Sequence, residues 1–190
     1  MIWSKENRYS TIHTYYTHKS DVNSLCYSPC GNFLASGSSD KTIFIHDVNN
    51  YEYSQEAFAR ESCAVYQVMY SPCGRLLASV GEDKIIRIRV IETKEVFRSF
   101  AGHKLRVNSI LFLPSGKHLI SGSDDKNIRI WDIEDQKEAE RLDSHLGGVT
   151  CLPLSQLGSI SAQQALTKQL KCGNSETSFY PHLSSLDFWW

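Results

Sequence analysis

His103, Ser121 and Asp125 are residue types that could do chemistry together. A histidine can take the proton of a serine hydroxyl while a carboxylate orients its ring, which is the arrangement of nucleophilic catalysis. The same three types occur upstream at the same spacing, as His18, Ser36 and Asp40. A catalytic centre is needed once, whereas a set repeated from unit to unit serves something that every unit needs. Buried polar side chains must satisfy one another's hydrogen bonds, so the repetition points to structure in place of reaction. No enzymatic activity is expected. Cys26-x3-Cys30 falls within the spacing of some zinc pairs, but no second Cys/His pair lies nearby in sequence, so neither a metal nor a cofactor is expected. The six cysteines read as free thiols.

The elements that carry these residues recur with a fixed period. Ser28-Pro29-Cys30-Gly31 returns as Ser71-Pro72-Cys73-Gly74 and, more loosely, as Leu113-Pro114-Ser115-Gly116, at intervals of 43 and 42 residues. The same intervals separate Asp40, Asp83 and Asp125, and the pairs His46-Asp47, Arg89-Val90 and Trp131-Asp132. Within the turn, proline fixes φ and glycine can take a positive φ, so each Ser-Pro-Cys-Gly closes a tight connection. Asp40-Lys41 marks another turn, where a short acidic side chain bonds its own backbone. A period of this length describes small sheets stacked on their neighbours.

The residues that keep this register resemble the WD-repeat β-propeller family, in which a Gly-His pair opens each unit and a Trp-Asp pair lies near its end. The third unit matches best: Gly102-His103, Val107 to Phe112, Leu119-Ile120-Ser121-Gly122-Ser123, Asp125-Lys126 and Ile128 to Asp132. In the first unit His46 stands where Trp is usual, and in the second Glu61 replaces His and Arg89 replaces Trp. The resemblance implies an all-β chain, a partial β-propeller of about three full four-stranded blades with incomplete blades at both ends. The strands of the first blade would be Val22 to Tyr27, Phe33 to Ser38, Thr42 to His46 and Tyr51 to Phe58. Apolar runs such as Leu76-Leu77-Ala78 and Ile85-Ile86 suit sheets covered on both faces. The resemblance also implies that His103, Ser121, Asp125 and Trp131, and with them His18, Ser36 and Asp40, form a hydrogen-bonded structural network.

In this frame residues 1–17 end a preceding blade, with Trp3 on its third strand and Tyr9 to His13 as its outer strand. Three repeats follow at 18–60, 61–102 and 103–144, and a fourth starts at 145–158 with His145, Val149 and Gly158 in register. It does not continue, because Gln163, Thr167 and Gly173 stand where Ser, Asp and Trp belong. Residues 159–190, ending in Phe188-Trp189-Trp190, are expected to be an out-of-register, disordered tail. Propellers use 4–8 blades, so the expectation is a fragment or truncated form of a longer propeller.

Charge is balanced at a net −1, which offers no general attraction to nucleic acid or an anionic membrane. Arg87, Arg89, Arg98, Lys104 and Arg106 form a modest basic cluster without interleaved stacking aromatics, and read as a solvated face. The chain lacks an 18-residue apolar run and an apolar signal core, so an intracellular place, cytoplasmic or nuclear, is expected. Propellers of this family bind other proteins or peptides with loops at the channel rim. The matching positions here are Asp21, Asn23, Ser39, Tyr66, Glu82, Arg106, Asn108 and Asp124, of which Tyr66 and Arg106 are the types favoured at interface hot spots. The expected role is a non-enzymatic interaction scaffold, with self-association of the open arc as a further expectation. Two narrower roles are a substrate receptor of a ubiquitin ligase and a component of a ribonucleoprotein or RNA-processing complex. Against the first, Asn49 and Glu134 stand where ligase-docking members often carry Arg.

Overall fold

The computed structural model describes residues 2–4, 10–50, 56–143 and 145–152. A two-stranded antiparallel sheet of β1 (Ile2–Ser4) and β2 (Ser10–His13) comes first. Three four-stranded antiparallel sheets follow, each a simple up-and-down meander. The first contains β3 (Val22–Tyr27), β4 (Phe33–Ser38), β5 (Thr42–Asp47) and β6 (Ala59–Arg60). The second contains β7 (Val65–Tyr70), β8 (Leu76–Gly81), β9 (Ile85–Val90) and β10 (Val96–Ala101). The third contains β11 (Val107–Phe112), β12 (His118–Ser123), β13 (Ile128–Asp132) and β14 (Lys137–Leu142). The described residues contain no helix, and the three sheets are the blades of a partial propeller.

Turn chemistry sets the hairpins. Gly31 and Gly74 take φ of +77° and +73°, and each donates its N–H to the serine carbonyl three residues earlier. The Ser28 hydroxyl then accepts the N–H of Phe33 at 3.0 Å, and Ser71 does the same for Leu76 at 3.1 Å. At the next connection the left-handed residue is a lysine each time, Lys41, Lys84 and Lys126, with φ near +70° (70°, 67° and 72°). The strain of a side chain there is offset because the preceding aspartate accepts the N–H of the residue after the lysine.

One expected strand differs where it is described. Among the described residues the outer strand of the first blade is Ala59–Arg60, paired with Thr42 and Ile43, and of the expected span Tyr51 to Phe58 the described residues 56–58 are not strand. Phe58 instead turns into the apolar layer between the first two blades, beside Ile43, Val65 and Val68. The third strand also runs one residue further than His46, to Asp47. Residues 1, 5–9, 51–55, 144 and 153–190 lie outside the described residues, and with them Tyr9 of the preceding blade's expected outer strand, most of the first blade's expected outer strand, the end of the fourth unit and the whole tail.

Blades meet face to face through apolar layers. Ala35, Ile43, Val65, Val68, Tyr70 and Leu77 fill the first layer, and Ala78, Ile86, Ile88, Val107, Ile110, Phe112, Leu119 and Trp131 the second. Beside the third blade, Leu111, Ile120, Ile130 and Leu142 are covered by Val149 and Leu152. Gly37 and Gly122 are sockets for this contact: a Cβ at Gly37 would lie 2.7 Å from Val65 Cγ1, and one at Gly122 would lie 2.5 Å from Val149 Cγ1. Polar bonds run across the same seam. Val68 N–H donates to Ser24 Oγ at 3.2 Å, Ile110 N–H to Gln67 Oε1 at 2.6 Å and Leu152 N–H to Ser109 Oγ at 3.1 Å.

Candidate functional site: buried polar chains and the loop rim

In the third blade the sequence places histidine ahead of β11, serine in mid-β12, aspartate in the β12–β13 turn and tryptophan on β13. Antiparallel pairing gathers them. Trp131 Nε1–H can only donate, and it reaches Ser121 Oγ at 2.8 Å. Ser121 Oγ lies 2.7 Å from His103 Nε2, and His103 Nδ1 lies 2.9 Å from Asp125 Oδ2. Asp125 also accepts the N–H of Lys104 at 2.8 Å and of Asn127 at 3.0 Å. An ionised aspartate only accepts, so Nδ1 carries the histidine proton and Nε2 receives the serine O–H. Protons therefore point one way, from Trp131 through Ser121 and His103 to Asp125.

This geometry matches that of a Ser-His-Asp triad in its bonds and differs in its access. Ser121 and the His103 side chain have no exposed surface, and the second Ser121 bond is taken by Trp131, so no carbonyl can approach the hydroxyl. Electrostatics fit a neutral ring beside an ionised carboxylate. Burial pushes His103 below the ordinary histidine value, against the opposing pull of Asp125. Burial alone would raise Asp125, but the Lys104 N–H, His103 and the Asn127 N–H outweigh it and hold the carboxyl below its usual range.

The first blade repeats the chain with a substitution at its end. His18 Nε2 lies 2.8 Å from Ser36 Oγ, and His18 Nδ1 lies 3.1 Å from both Asp40 Oδ2 and Thr42 Oγ1. His46 Nε2 takes the tryptophan's place at 3.3 Å from Ser36 Oγ. Tyr15 stacks on His46 at 4.2 Å and supplies the apolar bulk of the missing indole. His46 Nδ1 is buried without a partner among the described residues, so it is the bare ring nitrogen and Nε2 carries the proton. Burial, aided by the nearby His18 and His13, pushes His46 down to about 4.

In the second blade the polar chain is ionic. Ser79 Oγ donates to Glu61 Oε1 at 3.0 Å, and Arg89 donates both to Glu61 and, at 3.3 Å, to Ser79. Arg87 bridges Glu61 at 3.4 Å and Asp83 at 2.6 Å. Two guanidiniums thus face two carboxylates, and Arg89 at 7% exposure is paired. Sequence reading placed Arg87 and Arg89 in an exposed basic cluster. The structure corrects this: both point into the blade toward Glu61, while Arg98 lies over the Phe97 ring and Arg106 stands at the rim.

The eight rim positions divide into three sorts. Tyr66, Arg106, Asn108 and Asp124 form one contiguous cluster. Arg106 Nε donates to Asp124 Oδ2 at 2.6 Å while its guanidinium lies 5.6 Å from the Tyr66 ring centre, and the Asn108 amide reaches the other Asp124 oxygen. Asn23 bonds Ser39 Oγ at 3.0 Å. Asn23 and Asn108 also share a duty, each donating to a backbone carbonyl of the following unit, Val65 at 2.8 Å and Val149 at 3.0 Å. Asp21 and Glu82 stand exposed. Sequence reasoning missed the side chains that tie inner strands together, Ser24, Gln67 and Ser109. Their common position was legible in the period, but three different residue types hid it.

Among the described residues no group of three or more His, Cys, Asp or Glu could hold a metal ion, and no helix is long and apolar enough to cross a membrane. The cysteines Cys26, Cys30, Cys63, Cys73 and Cys151 carry free thiols. Comparison with curated proteins returns no match. The family described as WD domain, G-beta repeat matches residues 9–47, 55–89 and 94–132, which is more than half of the chain. Three matched segments, three four-stranded blades and a buried polar chain in each lead to one conclusion: this chain belongs to the WD-repeat family.

Proposed function

We propose that the chain is a non-enzymatic interaction scaffold that binds a protein or peptide partner on the rim formed by Tyr66, Arg106 and Asp124. Repeats of this family serve in general to bind other proteins. The observation that carries the reading is the state of Arg106. Its side chain is half exposed, yet Asp124 and the Tyr66 ring fix it in one direction, and it takes no part in any blade's buried chain. An immobilised arginine beside a half-buried tyrosine loses little rotamer freedom on binding, which is how such pairs become hot spots. Asp21, Glu82 and Ser39 extend the contact surface, and Asn23 and Asn108 hold it in shape.

The test is affinity capture of cellular proteins by wild type and by Tyr66→Ala/Arg106→Ala, with thermal melting as the folding control. The double variant is expected to melt within a few degrees of wild type, because surface changes cost at most about 0.5 kcal/mol each. It is also expected to lose at least one partner. Identical partner sets would contradict the assignment.

A further inference from the structure

We propose that Cys30 is a modification site, a solvent-facing thiol that hydroperoxides oxidise to a sulfenic acid held by the Tyr70 hydroxyl. Two blades build the same cradle for a sulfur. In the first, Cys30 Sγ lies 3.3 Å from Ser28 Oγ, and in the second Cys73 Sγ lies 3.3 Å from Ser71 Oγ. Each serine oxygen already accepts a backbone N–H, from Phe33 or from Leu76, and its own hydrogen is left to point at the sulfur. A thiolate can only accept, so this arrangement suits the ionised form. The Ser28 hydroxyl first and the Asn32 N–H next hold Cys30 below the ordinary thiol value, and Ser71 and the Arg75 N–H do the same for Cys73. Cys26 and Cys63 go the other way, because burial disfavours their charge. The thiolate is the nucleophile and both cradled thiols are exposed, which sets two reactive cysteines apart from two inert ones.

What distinguishes Cys30 from Cys73 is a phenol. Tyr70 on β7 lies in the layer between the first two blades at 5% exposure, and its hydroxyl is buried with no hydrogen-bond partner among the described residues. Burial first, and then the nearby Cys26 and Cys30 thiols, push that hydroxyl above the ordinary tyrosine value. A neutral, unused O–H donor therefore stands beside Cys30, and a buried donor without an acceptor calls for an explanation. At the next seam the matching register positions hold Met69 for Cys26 and Phe112 for Tyr70, so Cys73 has the cradle without the donor. The third blade has neither, since Leu113 takes the serine's place and Ser115 the cysteine's. There Ser115 Oγ accepts the Lys117 N–H at 3.3 Å, where the sulfur would otherwise sit.

The chemistry is a two-electron oxidation. The Cys30 thiolate attacks one oxygen of a hydroperoxide, the S–O bond forms as the O–O bond breaks, and the other oxygen leaves as hydroxide or alkoxide and takes a proton from solvent. Sulfur is oxidised and the peroxide is reduced. The new sulfenyl oxygen is the acceptor that the Tyr70 O–H lacks, and that bond prolongs the life of the acid. The site lies at the opposite end of β3 and β4 from Asp21 and Ser39, so it stands or falls apart from the rim.

The test treats the full 190-residue chain with hydrogen peroxide, traps sulfenic acid with a cyclic diketone and reads each cysteine peptide by mass spectrometry. Cys30 is expected to be labelled several-fold more than Cys73, and Cys26 and Cys63 hardly at all, while iodoacetamide alkylates Cys30 and Cys73 at similar rates. Tyr70→Phe copies the ring that Phe112 supplies and should keep the wild-type melt. It should bring labelling of Cys30 down to that of Cys73 and leave the iodoacetamide rate unchanged, a split that a merely structural tyrosine would not give. Ser28→Ala should slow both reactions at Cys30 and neither at Cys73. Equal labelling of Cys30 and Cys73 in the wild type, labelling of Cys30 that Tyr70→Phe leaves unchanged, or alkylation of Cys26 as fast as of Cys30 would each overturn the proposal. If Tyr70→Phe lowers the melt, the wild-type comparison of Cys30 with Cys73 decides alone.

Discussion

At the residue scale, His46 is the group whose protonation tests the interior. It occupies the place of an indole and stays neutral because burial disfavours its charge, with its folded value near 4 against an ordinary value of roughly 6.5. A depressed histidine value has a definite sign. Between 6.5 and 4 the unfolded chain binds a proton that the folded chain refuses, so stability is complete above about pH 6.5 and declines as pH falls toward 4. The size is on the order of 2–3 kcal/mol for this one group. His103, shifted in the same direction, adds to it, and the carboxylates Asp40 and Asp125, both held low, extend the loss further into acid. Urea midpoints measured across this range should fall with acid. His46→Phe keeps the ring stacked under Tyr15, so its slope should be shallower, and an identical slope would contradict a buried neutral His46.

At the scale of the blade, one architectural need is met by three different chemistries. Trp-Ser-His-Asp, His-Ser-His-Asp and Arg-Ser-Glu all join the third strand through a mid-strand serine to the segment ahead of the first strand. The period made the positions legible, and the turn residues made the hairpins legible. The second blade was not readable in full, because a lone Glu61 and a lone Arg89 announce their partnership only when pairing of β8 with β9 brings Ser79 beside both. The end of the first blade's outer strand was misread at Phe58 for a related reason, since Phe58 is as good a strand residue as a core residue. Glu61→Gln would leave two guanidiniums facing an uncharged amide, and should cost about 3–5 kcal/mol in chemical denaturation. Glu61→His with Arg89→Trp rebuilds the third blade's set. The pair should cost less than the two single changes added together, and simple additivity would count against a shared network.

For the whole molecule, stability passes from blade to blade. Glycine sockets take valine knobs, and a side chain on each inner strand accepts a backbone N–H from the next, so loosening one blade should be felt in its neighbour. Composition and period foretold stacked sheets but not which face would be left open, because exposure depends on what lies beside a blade and not on its own residues: Leu25 and Val68 hold equivalent positions with opposite surroundings. The central claim is that the repeated His, Ser and Asp residues hold each blade together. Amide hydrogen exchange of wild type against Asp125→Ala tests it most directly. Removing that carboxylate strips His103 of its acceptor and two backbone N–H groups of theirs, at about 1–3 kcal/mol for an unsatisfied buried partner. Protection should drop across β11 to β13 and, more weakly, in β7, through the bond from Ile110 N–H to Gln67. Unchanged protection in the third blade would contradict the account.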